Sequence, residues 1–231
     1  MPSNPARDRL SAAGLRAGRS VIRHAPRVLE AVQAAVAGEE IEQVDLLMRV
    51  MAGFDAEEAE HLEAVGTLSM LLADHYGLTT DQVATCLLAG RVHDIGKLAI
   101  SRTVLFKPGS PSKDEWAELK LHPVYGGSTL AGLPRLKRLA PIIIAHHERV
   151  DGLGYPYGLA GSEIPIESQI VAIVEAFCAM TVPRPYCATR LPNAAIAELQ
   201  RCAGAQFNAD LVEAFADMFR ERATAPEADD P

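Results

Sequence analysis

Residues 146–165 read HHERVDGLGYPYGLAGSEIP, two adjacent imidazoles and a carboxylate leading into a Gly/Pro-rich loop that carries an aromatic ring. The apolar run Ile142-Ile143-Ile144 precedes it and follows Pro141, a residue suited to the first position of a helix. The run therefore predicts a short buried helix with His146 and His147 at its far end. Neighbouring helical positions point about 100° apart. Both imidazoles can serve one site only if that site is broad enough to hold more than one metal ion.

Outward from this stretch the periodicity is helical on both sides. Upstream, Thr80 or Asp81 opens a helix through Val83, Leu87, Leu88 and Val92 that runs directly into His93-Asp94-Ile95-Gly96-Lys97. Imidazole, carboxylate and ammonium at the end of an apolar helix need each other or a metal; a helix-end salt bridge would satisfy them, but the lysine one turn after HD supplies a partner for an anion and favours a functional site. Asp55 with Glu58 has capping-box form, and the helix it opens reaches to Gly77, a natural end. Glu57 and His61 lie on it four residues apart, a spacing common for a surface pair. Residues 21–51 read as two helices interrupted at Gly38. Ser112 with Glu115 caps a short helix whose Trp116 is expected in the core. His122 stands before Pro123, where a histidine is more often a cap than a ligand. Arg135, Lys137 and Arg138 read as a solvated face.

Downstream, Ile166 to Thr181 is an apolar helix with Glu175 embedded in it, and such an acid requires solvent or a cation. Prolines 183, 185 and 192 force a loop around Arg184 and Tyr186; Asn193 to Cys202 and Asn208 to Arg220 then form two closing helices. With neither a strand ladder nor an internal repeat, the expected fold is all-α. The expected division is a helical extension over 1–54, a domain over 55–222 and a disordered tail over 223–231.

A net charge of −8 opposes general DNA binding, which needs a basic surface. Cys86, Cys178, Cys187 and Cys202 form no CxxC pair, so neither a zinc knuckle nor a disulfide framework is expected. Apolar runs fall short of a membrane span, and the N-terminal arginines (Arg7 to Arg27) precede no apolar export core. A cytoplasmic protein is the expectation.

The order of motifs resembles the HD-GYP family of metal-dependent phosphohydrolases: HDIGK at 93–97, FKPG at 106–109, HP at 122–123, the HHE…GYP stretch, and RPY at 184–186. The resemblance implies an HD-superfamily helical bundle that hydrolyses a cyclic dinucleotide, foremost cyclic di-GMP, at two or three divalent transition-metal ions, with iron or manganese expected. It implies His61, His93, Asp94, His122, His146 and His147 as metal ligands, with Asp94 bridging two ions and Glu57 serving an additional one. Asp94 and Lys97 would be catalytic, Lys97 holding the scissile phosphate; Tyr155 and Arg184 would also contact substrate. The implied chemistry is attack on phosphorus by a hydroxide bridging the metals, giving linear dinucleotide and then GMP.

The chain also departs from the family pattern. Its DxxDA segment is Glu175-Ala176-Phe177-Cys178-Ala179, so the metal ligand expected there is the longer Glu175 and the second acid is a thiol. Cys187 replaces a basic residue after RPY; Leu62 and Ala64 replace Ser and Arg after the first histidine. The alternatives to turnover are binding of a cyclic dinucleotide or a signalling partner without hydrolysis, or another nucleotide phosphohydrolase activity. The N-terminal helices are the expected site of packing or homodimerisation.

Overall fold

The computed structural model describes residues 38–182 and 189–224, all in helices, turns and loops apart from an isolated bridge between Ala203 and Phe207. Expectations about Arg7 to Arg27, the first of the two N-terminal helices, Arg184, Tyr186, Cys187 and the tail from residue 225 fall outside the described residues. The main helices are α1 (Gly38–Phe54), α2 (Ala56–His75), α3 (Thr80–Val92), α4 (Arg102–Leu105), α5 (Lys113–Leu119), α6 (His122–Ala131), α7 (Ala140–Ile144), α8 (Ile166–Thr181), α9 (Pro192–Arg201) and α10 (Ala209–Thr224). A 3₁₀ turn over Ile95–Ala99 links α3 to α4. The all-α expectation holds among the described residues.

The centre of the bundle is the pair α2 and α3, which approach closely because Gly66 faces Gly90. A Cβ on Gly90 would lie 2.6 Å from the Gly66 Cα. Helix α8 packs across both, and its Ile170, Ile173, Val174 and Phe177 join Leu62, Val65, Leu88 and Val92 in one core. Val44, Met48 and Met51 bring α1 into the same core. Phe177, Phe215 and Phe219 pack ring against ring, with centroids 5.0–5.1 Å apart, and dock α10.

Local signals explain the element ends. Asp55 Oδ1 accepts the Glu58 amide at 3.1 Å, but the Glu58 carboxylate does not return to the cap; it bonds Lys97 instead. Thr79 and Gln82 form a full capping box ahead of α3, and Ser112 and Glu115 do the same for α5. The basic segment expected to be solvated is mostly engaged. Arg138 holds both oxygens of Glu40 at 3.1 Å and also bonds the Thr85 hydroxyl, while Arg135 pairs with Glu39. These arginines meet the acidic first turn of α1 and tie it to the bundle; Arg135 and Lys137 are exposed, as the solvated reading expects, and Arg138 is the half-buried exception. Trp116 is likewise not core: it is 50 % exposed, on a helix none of whose residues is buried. No described helix is long and apolar enough to cross a membrane.

Candidate metal centre

The sequence-distant histidines meet where the C-terminal end of α3, the start of α6 and the segment after α7 converge beside α2. His93 follows the last residue of α3, and the chain turns there into the 3₁₀ segment, which aims Asp94 and Lys97 inward. His122 opens α6, with Pro123 next to it in the first turn. His146 and His147 follow the end of α7, where the apolar Ile142 and Ile143 anchor the backbone in the core.

Three imidazoles are oriented in one way. The Nδ1 atoms of His93, His122 and His146 lie 2.9, 2.7 and 2.5 Å from the carbonyl oxygens of Gly90, Leu119 and Ile143, each three residues earlier. A carbonyl only accepts, so each of these rings donates from Nδ1. When neutral, such a ring presents a bare Nε2 lone pair to the interior. His122 Nε2 is 3.4 Å from His146 Nε2, 3.1 Å from His147 Nε2 and 2.9 Å from Asp94 Oδ1.

The bare Nε2 atoms of His122 and His146 and the Asp94 oxygen, facing one another at these distances, repel unless a cation stands among them, whereas His147 can donate from Nε2 to His122 in one of its tautomers. Two of the atoms, His93 Nε2 and Asp94 Oδ1, are buried without a hydrogen-bond partner. The 2.9 Å approach of His122 to Asp94 Oδ1 is no exception, because the His122 ring proton is committed to Leu119. Imidazole and carboxylate donors of this kind fit a divalent transition metal. The donors form three overlapping groups, each with atoms within 4.8 Å of one another: Asp94, His122, His146 and His147; His61, His93 and Asp94; and His93, His146 and Glu175. Asp94 belongs to two of them, as a bridging ligand would. Glu175 is within reach, its Oε2 3.8 Å from His147 Nδ1. Glu57 is exposed and belongs to none of the three groups.

The electrostatics agree with this reading. Burial, reinforced by the neighbouring His147 and His93, holds His146 well below the ordinary imidazole range, and burial beside His122 lowers His147 to about 3, so both stay neutral lone-pair donors. Burial pushes His93 down, but Asp94 at 3.3 Å outweighs it and raises the imidazole to about 9. Burial pushes the Asp94 carboxyl up, yet Lys97, His93 and His122 together hold it well below the usual range.

Sequence reasoning missed two residues around this centre. Lys97 Nζ is gripped by two carboxylates, Asp94 Oδ2 at 2.6 Å and Glu58 Oε1 at 2.8 Å. Burial raises the Glu58 pKa against the pull of Lys97. Glu148, buried behind the histidines, accepts the amides of Tyr157, Gly158 and Leu159 at 2.7, 3.1 and 3.1 Å. It thereby folds the GYP loop back over the site. The loop's Tyr155 then stacks on His147, with centroids 4.8 Å apart and planes at 29°. The acid of HHE was visible in the sequence; its three backbone partners were not.

The model of the HD domain family matches residues 44–211. The chain is 37% identical over 177 residues to the cyclic di-GMP phosphodiesterase response regulator RpfG of Xanthomonas campestris pv. campestris, covering 76% of this chain and 47% of that protein. It is 36% identical over 182 residues to a cyclic di-GMP phosphodiesterase of Thermotoga maritima, covering 78% and 50% respectively. The chain thus spans about half the length of these curated relatives. Among solved structures, Bd1817, an HDG"Y"P protein of Bdellovibrio bacteriovorus, superposes with a TM-score of 0.57 at 18% identity over 93% of this chain and 71% of that one, a likeness of fold.

Proposed function

The chain belongs to the HD domain family, and within it to the HD-GYP branch, and on that premise we propose that it is a metal-dependent phosphodiesterase of cyclic dinucleotides, with cyclic di-GMP the foremost substrate. The observation that carries the reading is the convergence of inward-facing imidazole nitrogens on Asp94, with Lys97 2.6 Å from the same carboxylate. The proposed ligands are His61, His93, Asp94, His122, His146, His147 and Glu175, with Glu57 for a third ion. When bound, two or three divalent ions, iron or manganese, supply a nucleophilic hydroxide at neutral pH and neutralise phosphate oxygens.

The chain's own residues do the rest. Lys97 sets an ammonium beside the centre for the scissile phosphate; burial pulls its pKa down, but the Asp94 and Glu58 carboxylates outweigh that and keep it charged. Tyr155 closes over His147 and limits water at that face. Arg184 is proposed to reach a second phosphate. The products are linear dinucleotide and then GMP.

Protein reconstituted anaerobically with iron or manganese and incubated with cyclic di-GMP tests the proposal by chromatography of the products. Linear dinucleotide and GMP are expected. Binding of cyclic di-GMP by the metal-loaded protein with no product would select the alternative, a binding protein without turnover, which the substitutions at Glu175, Cys178 and Cys187 favour.

Glu58 gives a second expectation. A phosphate must compete with its carboxylate for Lys97, and a hydrogen bond to a charged group is stronger than one to a neutral amide by about 1 kcal/mol. Glu58→Gln keeps an acceptor for Lys97 but weakens that competition. KM for cyclic di-GMP is expected to fall about fivefold. Steady-state kinetics that show a raised KM would mean that Glu58 holds Lys97 in its productive place and does not compete for it.

A further inference from the structure

Helix α5 poses a question that its packing does not answer. None of its seven residues is buried, yet it is fixed by polar ties at both ends. Ser112 and Glu115 cap each other; Lys107 binds both oxygens of Glu115 at 2.9 and 2.7 Å; Glu118 accepts the Ser101 amide at 2.9 Å. A helix held in this way without a core face serves what it displays. It displays Trp116, half exposed, and Lys120 one turn later.

Both line a cavity of about 390 Å³ whose other walls include His146, His147, Tyr155 and Glu175. Of the two cations in that lining, Arg149 is tied to Asp151 through paired bonds of 2.9 and 2.6 Å. Lys120 instead holds its ammonium over the Tyr155 ring, 5.1 Å from the centroid. The cavity therefore has an indole and an ammonium on its wall, borne by positions four residues apart, whose backbones are separated by about 6 Å of helical rise. At its floor stand the donors of the metal centre.

We infer that Trp116 and Lys120 form a nucleotide subsite, the indole stacking a purine base and the ammonium holding the phosphate on that base's ribose. The inference rests on the proposed phosphodiesterase reading and adds to it the residues that recognise the part of the substrate away from the scissile bond. A purine suits the indole because stacking uses the π-face that every base has, and an exposed aromatic next to a cation is the usual form of such a platform. The ribose between base and phosphate spans the gap between the two side chains.

Trp116 is the chain's only tryptophan, so its emission reports the subsite directly. Cyclic di-GMP titrated into the metal-loaded protein is expected to quench that emission saturably, and ribose 5-phosphate, which has the phosphate but no base, to leave it unchanged. By calorimetry, Trp116→Ala is expected to weaken cyclic di-GMP binding about 10- to 100-fold, the range carried by base–aromatic stacking, and Trp116→Phe to restore most of it. Lys120→Gln is expected to weaken binding and flatten its salt dependence; unchanged affinity in that variant would remove the phosphate contact. Calorimetric binding of cyclic di-GMP with no change in emission, or equal affinity of the Trp116→Ala protein, would overturn the subsite and leave the phosphodiesterase reading standing. No binding of cyclic di-GMP at all would overturn both.

Discussion

Asp94→Ala is expected to abolish turnover of cyclic di-GMP, by about 1000-fold or more, the upper scale on which loss of one electrostatic group is felt at a reacting centre. The carboxylate is common to two of the three donor groups, lies 2.9 Å from His122 and 2.6 Å from Lys97, and is 1 % exposed. Its removal takes away an oxygen that water can replace only at one position at a time. Metal content should fall together with rate. The fold should survive, because Lys97 keeps Glu58 at 2.8 Å and is not left as an unpaired buried cation, a loss that costs about 3–5 kcal/mol where it occurs. Elemental analysis, product chromatography and helical circular dichroism separate these effects. Retained turnover in a folded Asp94→Ala protein would place the reacting centre elsewhere.

The outcome at Asp94 depends on residues that the sequence shows unequally. Helix α8 was legible from end to end, since Ile166 to Thr181 carries one long apolar period, and Glu175, the acid embedded in the middle of that period, was marked for solvent or a cation by the company it keeps. The HDIGK and HHE strings announced chemistry because buried charge is costly. His61 was harder. Its pairing with Glu57 at four residues looks like any surface pair, and only the fold brings its ring within 5.7 Å of His93.

What stayed hidden is non-local or lacks a period. Arg138 meets Glu40 across 98 positions, a separation that no local pattern encodes, and so a clasp read as a solvated face. Glu58 looked like the return half of a capping box, but a buried ammonium is a stronger attraction for its carboxylate than a cap amide. Helix α5 is too short to reveal which side faces the core, and an indole defaults to burial when nothing else is known. Glu148 spends its carboxylate on three successive amides, partners that every residue has and that no sequence motif marks.

The glycine of HDIGK yields the largest expected effect on stability. Gly96 lies in the 3₁₀ turn against the first turn of α6, where a Cβ would stand 1.9 Å from the carbonyl oxygen of His122 and 2.5 Å from the amide nitrogen of Gly126. Both obstacles are backbone, so no rotamer change relieves them. Gly96→Ala must push α6 away from the turn, and overpacking of this kind costs about 3 kcal/mol, the upper end of the usual range. For a chain of this size that corresponds to a melting temperature lower by roughly 6–12 °C. The same displacement moves His122 relative to Asp94, and donor sets tolerate only about 0.5 Å of error, so metal content should fall even below the melting transition. Gly132→Ala is the control: a Cβ there meets nothing nearer than 3.4 Å, and φ is −74°, so melting temperature and metal content should be unchanged or slightly raised. A Gly96→Ala protein with the melting temperature and metal content of the parent would mean that the 3₁₀ turn and α6 can separate without disturbing His122.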